Sequence, residues 1–429
     1  MTETTPVSKN LILLLDGTWN DADYGAADTN IVRLRERISQ VMHKQSSPPT
    51  SAAAGVQAGV VQGLKNVVFY QRGVGTNALD KFSGGAFGAG LNQNVRNAYR
   101  FICANYVPND RIFIFGFSRG AFTARSLAGY IAAAGILKPE KCTPANESRA
   151  WYYYRDRPAE RMSGTAFQFA NDVHPYIESP ITCLGIFETV GALGAPIRRF
   201  SKVNRRLYEF HDVFLSGVAK INLHALAIDE HRRPFEATLW RQSKFVLLNN
   251  VTEQVWFTGC HSDVGGGSID EAKRRIELDD ISLDWMLKRL AFFKETKDFF
   301  PVKPSQIDFS NFIKPAQTES RGGIYLFYPF AYRSIGNVKP PSRFRQTTVG
   351  FDRHHQAQND SIHRSAIDRV GHQIRRGDAK VKYLPENLMA YLRAYRDRKA
   401  PRIPIIDWTG LPLSGETALQ LVKEALLRG

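Results

Sequence analysis

The chain has 429 residues and 43% apolar content, enough for one large core or two smaller ones, because single cores stop growing at roughly 250–300 residues. Glycine is frequent, with 33 residues, but follows no period, so collagen-like and low-complexity classes are excluded. The formal net charge of +16 predicts a surface that attracts anions such as lipid headgroups, nucleic acid or an acidic partner, although charge alone identifies no ligand.

The sequence also lacks the signatures of a disulfide scaffold and of a membrane-spanning chain. Its four cysteines form no C-x-x-C pair, and Cys103, Cys183 and Cys260 each lie in an apolar stretch, as expected of buried free thiols in a reducing compartment. The first nine residues are mostly polar and the apolar run at 11–15 is short, so we expect no signal peptide. No stretch approaches the roughly 18 apolar residues of a transmembrane helix, so any contact with lipid is expected at the surface.

Apolar runs alternate with helical patterns through the first part of the chain. Residues 11–15 predict a buried strand, since a continuous apolar run bounded by turn residues is typical of a parallel sheet covered on both faces. The elements predicted next, in chain order, are a helix at 31–42, a mobile loop at 44–63, a strand at 66–70, a glycine-rich loop at 82–90, a helix at about 92–106, a strand at 111–115 and a helix at 121–134.

The later part of the chain predicts fewer elements. Strands are expected at 181–187 and 254–259, and two long inserts, near 138–180 and 195–222, are of the kind that forms a cap or lid. Residues 360–376 predict a helix, and residues 416–428 a short amphipathic helix. Because strands alternate with helices, we predict an α/β fold with a mostly parallel, doubly wound sheet and helices on both faces.

The segment Gly116-Phe117-Ser118-Arg119-Gly120 matches the G-x-S-x-G nucleophile elbow, with an apolar strand before it and a helix after it. A serine on such a sharp turn projects its hydroxyl, and only glycine fits two residues to either side. The alternative is an ordinary strand-to-helix turn with a capping serine. The context favours Ser118 as a nucleophile in an α/β-hydrolase-like catalytic domain over residues 1–290, with 291–429 as a C-terminal extension packed on it or completing it.

A serine nucleophile needs a histidine base and an acid that orients it, in the chain order serine, acid, histidine. Two triads satisfy this order. One is Ser118–Glu188–His261, whose acid and base each end a predicted strand. The other is Ser118–Asp263–His363. Since His363 lies in a predicted helix, it is closer to an ordinary structural histidine.

The oxyanion of the reaction would be stabilised by backbone N–H groups. Arg119, directly after the nucleophile, is expected to supply one, and Gly17 or Thr18, after the first strand, the other. Asp16 is expected to hold this loop by hydrogen bonds. Two rival hypotheses remain: a metal-dependent hydrolase that uses Asp16, His261 and Asp263 as ligands, and a non-catalytic module whose basic surface binds lipid or a protein.

Six motifs in one order resemble the catalytic domain of the type VI secretion phospholipase effector family, over roughly residues 9–290. They are Leu-Asp-Gly-Thr-Trp-Asn (15–20), Arg-Gly-Val-Gly-Thr (72–76), Gly-Phe-Ser-Arg-Gly-Ala-Phe-Thr-Ala-Arg (116–125), Glu-Thr-Val-Gly-Ala (188–192), His-Ala-Leu-Ala-Ile-Asp-Glu (224–230) and Trp-Phe-x-Gly-x-His-Ser-Asp-Val-Gly-Gly-Gly (256–267).

The resemblance implies an α/β-hydrolase fold and a lipase or phospholipase that cleaves membrane glycerophospholipids. Ester hydrolysis through an acyl-enzyme on serine needs no metal or organic cofactor, so none is expected. The resemblance favours Ser118, Glu188 and His261 as the triad, although Glu188 replaces the family's usual aspartate and so keeps Asp263 as an alternative acid. It further implies a bacterial protein made in the cytoplasm, export by a type VI system, and an immunity or secretion-system partner. No nucleic-acid partner is expected.

Overall fold

The computed structural model describes residues 8–17, 28–43, 55–73, 84–155, 171–174, 180–189, 217–235, 237–240, 250–270, 275–304, 316–321, 330–336, 338, 359–377 and 379–429. Thr18 and much of the two predicted inserts lie outside these ranges.

Within the described ranges, one nine-stranded sheet organises the molecule. The strands of the chain are β1 (Asn10–Leu15), β2 (Gly55–Val61), β3 (Leu64–Gln71), β4 (Arg111–Phe117), β5 (Ile181–Phe187), β6 (Ala219–Ala227), β7 (Val251–Phe257), β8 (Asp360–His363), β9 (Gln373–Arg376), β10 (Ala379–Lys382) and β11 (Ile405–Ile406). The sheet has the order β11-β8-β7-β6-β5-β4-β1-β3-β2, while β9 and β10 form a separate hairpin. All neighbours in the large sheet are parallel except β2 and β3.

Helices cover both faces of this sheet. Those in the described ranges are α1 (Asn30–His43), α2 (Gly84–Asn105), α3 (Arg119–Ala134), α4 (Pro144–Arg155), α5 (His261–Gly265), α6 (Asp279–Phe292), α7 (Arg364–Arg369), α8 (Glu386–Arg396) and α9 (Gly415–Arg428), with 3-10 turns at Pro139–Lys141 and Arg233–Phe235. None of them is long and apolar enough to cross a membrane.

Strand β1 shows why the sheet must be covered twice. Its alternate residues Ile12 and Leu14 belong to a core shared with α1 and α6, whereas Leu11 and Leu13 belong to a second core shared with α2, α3 and α4. Because successive side chains of a strand point to opposite faces, a strand that is apolar throughout requires both layers. The predicted α/β class with a mostly parallel sheet between two helical layers is thereby confirmed.

The C-terminal part of the chain extends the same sheet. Strand β8 pairs with β7 in parallel, and β11 pairs with β8. A third core, which includes Trp256, Ile362 and Val422, joins β7 and β8 to α7, α8 and α9. The chain after residue 290 therefore contributes strands to the sheet as well as helices packed beside it.

Three predicted loops or helices were wrong. Residues 55–61 of the predicted mobile loop form β2, because Gln62 and Gly63, both at positive φ, close a tight hairpin onto β3. Residues 84–90 of the predicted glycine-rich loop form the first turns of α2, although each glycine in a helix lowers its stability by about 1 kcal/mol relative to alanine. The helix predicted at 360–376 is instead β8, α7 and β9.

A central strand was also missed. Strand β6 begins inside the predicted insert 195–222 and is buried between β5 and β7. Its buried polar residues Asn222 and His224 interrupt the apolar run that identifies such strands. The other predicted strands and helices are present within a few residues of their expected bounds. The four cysteines are free thiols, and Cys103, Cys183 and Cys260 are buried as expected.

Candidate active site

Ser118 occupies a strained turn between β4 and α3. Its backbone has φ 56° and ψ −117°. Residues other than glycine rarely adopt this conformation, and it is typically retained at functional sites. The turn is held from two sides, since the Ser118 N–H donates to the Phe187 carbonyl at 3.1 Å and the Ser118 carbonyl accepts from the Phe122 N–H at 3.2 Å. The side chain of Ser118 is half-buried. These features are those of a nucleophile elbow.

Close backbone packing explains the two flanking glycines of the elbow. A methyl group at Gly116 would overlap the Gly120 carbonyl, and one at Gly120 would overlap the Leu15 carbonyl at the end of β1. Neither obstacle is a side chain that could turn aside. The sharp turn at Ser118 therefore requires glycine at both positions, because the neighbouring backbone lies too close for a side chain.

Gly120→Ala is expected to lower the free energy of unfolding by about 3 kcal/mol, as overpacking against rigid surroundings does. Gly415→Ala is the matched control, because Gly415 is exposed at the start of α9 and has open space where the new methyl group would lie. Urea unfolding of both variants measures the difference. Equal midpoints would contradict the close packing at the elbow.

His261 lies beside the elbow as the first residue of α5, shortly after β7 ends at Phe257. Its imidazole is buried, and its ring centroid lies 4.8 Å from that of Phe117, the residue before Ser118. Phe235 contacts the same imidazole edge-on at 5.2 Å. The Nδ1 atom is 3.2 Å from Oε2 of Glu188. A carboxylate at Nδ1 favours the tautomer in which Nδ1 carries the proton and Nε2 is the base.

Glu188 follows β5 and is completely buried. Its backbone adopts φ 46°, and its N–H donates to the Ala225 carbonyl at 2.9 Å. Both carboxylate oxygens accept from Arg333, Oε1 from Nη1 at 2.8 Å and Oε2 from Nη2 at 2.9 Å. Oε1 also accepts from the Ala227 N–H. The acid is thus fixed from three directions and presents one oxygen to His261.

The electrostatics of the pair suit a carboxylate and a neutral imidazole. Burial alone would raise the pKa of Glu188, but Arg333 and the hydrogen bonds from His261 and Arg333 hold this pKa at about 2. Burial lowers the pKa of His261 more than Glu188 raises it, so this pKa lies below its ordinary value. A neutral histidine at pH 7 can accept a proton, as a general base must.

Asp16 holds the loop that follows β1, as the sequence predicts. Its carboxylate accepts from the Thr29 hydroxyl at 2.9 Å, the Tyr70 hydroxyl at 2.9 Å and the Gly17 N–H at 2.7 Å. Burial raises the pKa of Asp16 to about 6 against these hydrogen bonds. Gly17 lies next to the elbow, since a methyl group placed on it would be 3.2 Å from the Ser118 Cβ.

The three predicted oxyanion donors differ in their surroundings. The Gly17 N–H is engaged by Asp16, whereas Arg119 is the first residue of α3, directly after Ser118. A helix N-terminus presents N–H groups that have no partner within the helix and favours negative charge. Thr18 lies outside the described residues. The position of Arg119 therefore agrees best with the predicted role.

The alternative triad is not brought together. The Asp263 carboxylate accepts from the Cys260 N–H at 3.0 Å and the Thr318 hydroxyl at 2.6 Å, and so anchors the start of α5. Burial raises the pKa of Asp263 to about 6. His363 ends β8, four strands from β4 in the sheet, and its Nδ1 bonds the Ser365 hydroxyl at 2.8 Å. Asp263 and His363 therefore bond neighbouring groups in separate parts of the fold and do not form an acid–base pair beside Ser118.

In the described ranges, no three His, Cys, Asp or Glu side chains are grouped to hold a metal ion, so the proposed ligands Asp16, His261 and Asp263 are not brought together there.

Sequence reasoning missed Arg333, which lies 145 positions from Glu188 in a stretch without a recognisable pattern. No local signal identifies a partner at that separation.

The chain matches known proteins over most of this architecture. The profile of the type VI secretion system (T6SS) phospholipase effector Tle1-like catalytic domain matches residues 9–289. An uncharacterised protein of Saccharomyces cerevisiae is 27% identical over 262 residues, 57% of this chain and 36% of the yeast protein. The structure of the Tle1 effector bound to the VgrG spike from the type VI secretion system has 20% identity and a TM-score of 0.29, over 61% of this chain and 52% of that chain.

An uncharacterised protein from Pseudomonas aeruginosa has 14% identity and a TM-score of 0.33, over 64% of this chain and 44% of that chain. This chain thus spans between 36% and 52% of the length of these relatives. The profile covers Ser118, Glu188 and His261, and its match extends over well more than half of the chain. The chain therefore belongs to the T6SS phospholipase effector Tle1-like catalytic domain family.

Proposed function

We propose that the protein is a serine hydrolase that cleaves carboxylic esters of membrane glycerophospholipids. The observation that carries this proposal is the buried Glu188–His261 pair beside the strained turn at Ser118. Membership of a phospholipase effector family supports lipid esters as the substrate class. The triad is Ser118 as nucleophile, His261 as base and Glu188 as the acid that orients it.

The proposed reaction has two halves. His261 Nε2 removes the Ser118 proton as the hydroxyl oxygen attacks the acyl carbonyl, and the resulting imidazolium protonates the departing alcohol when the ester bond breaks. Water then attacks the acyl-enzyme, gives a proton to His261, and releases the fatty acid while Ser118 regains its proton. Glu188 stays ionised throughout and stabilises the imidazolium.

Negative charge develops on the carbonyl oxygen in both halves. The Arg119 N–H at the start of α3 is the proposed first donor, and such a donor contributes about 3–4 kcal/mol to the transition state in other hydrolases. The second donor is proposed to come from the loop at Gly17 and Thr18. Because Asp16 engages the Gly17 N–H, that amide must exchange partners, or Thr18 must donate in its place.

The net charge of +16 supports contact with anionic membranes, where each Lys or Arg near the surface contributes about 1 kcal/mol. A secretion-system or immunity partner and export by a type VI system are proposed on the family membership alone. The match to a yeast protein is compatible with family members outside such systems, so the bacterial origin stays a prediction.

The direct test is to incubate the protein with vesicles of phosphatidylcholine and phosphatidylglycerol and to identify the products by mass. Released fatty acid and lysophospholipid are expected, and pretreatment with a fluorophosphonate should abolish them while adding its mass to the Ser118 peptide. Turnover that survives the fluorophosphonate but is lost on chelation would replace this proposal with metal-dependent hydrolysis. Binding to vesicles without any product would favour a non-catalytic lipid-binding module.

The pH dependence of ester hydrolysis should follow His261. Only the neutral imidazole accepts the serine proton, so kcat/KM should rise with pH through the pKa of His261, which burial places below its ordinary value. Half-maximal activity is therefore expected below about pH 6.5. Glu188, with a pKa of about 2, stays ionised over this range. Rates on p-nitrophenyl butyrate from about pH 4.5 to 8 give the profile, and a midpoint above about pH 7 would contradict the assignment.

A further inference from the structure

Arg333 is a buried arginine supplied by the chain beyond the residues that the family profile matches. It is 2% exposed, and its position lies well after residue 289, where the matched segment ends. Besides its two bonds to Glu188, its Nη1 donates to the Ala227 carbonyl at 2.8 Å and its Nη2 to the Phe235 carbonyl at 2.6 Å. Asn387 in turn donates to the Arg333 carbonyl at 3.1 Å. The guanidinium is therefore held in one orientation by three segments.

This geometry matters because glutamate reaches further than the family's usual aspartate. Nη2 of Arg333 and Nδ1 of His261 both donate to Oε2 of Glu188, so the arginine and the base share one oxygen. A two-point contact between a guanidinium and a carboxylate fixes the plane of the carboxylate as well as its position. The orientation of the acid toward the imidazole is thus set by Arg333.

The charge of Arg333 acts on Glu188, whose pKa it lowers. A lone buried carboxylate favours protonation of a neighbouring imidazole, whereas a cation on the far side of that carboxylate opposes it. The other charged or titratable groups that face the pair are Glu230 and Arg232 beside His261, and His224 near Glu188. Glu230 and Arg232 form their own ion pair at 2.7 Å, which leaves Arg333 as the main counter-charge to Glu188 among these groups.

We propose that Arg333 is a positioning residue of the active site, which orients Glu188 and sets the pH at which His261 becomes a base. This assignment rests on the proposed serine-hydrolase function. It also means that the segment around residues 330–336 completes the catalytic machinery from outside the matched domain.

The test uses the full chain and the rate at which a fluorophosphonate labels Ser118, measured against pH, so no substrate need be known. In Arg333→Gln and Arg333→Met the midpoint of labelling is expected to rise by about one pH unit, because the removed cation no longer opposes protonation of His261. Arg333→Lys should lie between these variants and the wild type, since it restores charge without the two-point contact.

The variant Arg289→Met is the control that separates a positioning role of Arg333 from a purely structural one. Arg289 makes a comparable two-point contact with Glu253, through Nε at 2.8 Å and Nη2 at 2.6 Å. Glu253 lies near the start of β7, whereas His261 comes after the end of that strand. This variant should lose stability while keeping the wild-type labelling midpoint. Folded Arg333→Gln with the wild-type midpoint would overturn the proposal, as would an equal rise in Arg289→Met. If the fluorophosphonate does not label Ser118 in the wild-type protein, the proposed serine-hydrolase function is itself refuted, whatever the Arg333 variants show.

Discussion

Ser118→Ala is expected to reduce kcat/KM for ester hydrolysis by at least about 10³-fold, because the nucleophile of a serine triad carries most of its rate enhancement. The structure gives the variant little reason to unfold. Alanine keeps the Cβ, and the backbone bonds of residue 118 to Phe187 and Phe122 do not use the hydroxyl. Steady-state rates on p-nitrophenyl butyrate and product masses from phospholipid vesicles measure the loss.

Ser365→Ala provides the matched control. It removes a serine hydroxyl that is bonded to a histidine, at 2.8 Å from Nδ1 of His363, but four strands away from the elbow. Wild-type rates are expected for this variant. The elbow mechanism would be refuted by wild-type turnover in Ser118→Ala, and loss of activity in Ser365→Ala alone would transfer the nucleophile to the second serine–histidine pair.

His261→Gln is expected to have nearly as large an effect, with kcat/KM falling by about 10³- to 10⁶-fold. Glutamine can still accept a hydrogen bond, but it cannot take the proton of Ser118. The combined variant Ser118→Ala with His261→Gln should be hardly slower than either single variant, because members of a triad act as a unit. Single-turnover and steady-state rates for the three variants test this.

His363→Gln controls for the loss of a buried imidazole. His363 packs against Phe257 at 4.9 Å and Trp408 at 5.0 Å between ring centroids, so the change is expected to lower stability but leave kcat/KM unchanged after correction for the folded fraction. For the combined variant Ser118→Ala with His261→Gln, a loss of kcat/KM equal to the product of the two single losses would mean that the two residues act independently.

The elbow could be predicted from the sequence because its constraints are local. Glycine two residues to either side of Ser118, an apolar strand before it and a helix after it all lie within about 25 residues (the span of one strand–turn–helix unit). Glu188 and His261 followed from the same logic, since Glu188 comes directly after β5 and His261 comes shortly after β7. Their contact at 3.2 Å nevertheless joins two strands that are not neighbours, because β6 stands between β5 and β7.

The failures share a physical cause, which is that tertiary contacts override local pattern. Strand β6 carries buried Asn222, which donates to the Val251 carbonyl, and buried His224, whose Nδ1 lies 3.4 Å from the Gln254 side-chain oxygen. These polar residues hide the strand from a search for apolar runs. Strand β2 is stabilised by pairing with β3 over seven residues rather than by its own composition. Arg333 is defined by contacts with distant segments, so its role follows only from three-dimensional structure.

The pairing of β8 with β7 bears on how the protein should be produced in the laboratory. A fragment cut at the end of the matched segment, near residue 289, would lose β8, and the backbone groups of β7 would become an open border of the sheet. Such borders recruit other chains and promote aggregation. The same cut would remove the arginine that pairs with the buried Glu188, so we expect a fragment that ends there to be a poor expression unit and the segments that carry Arg333 and β8 to be required.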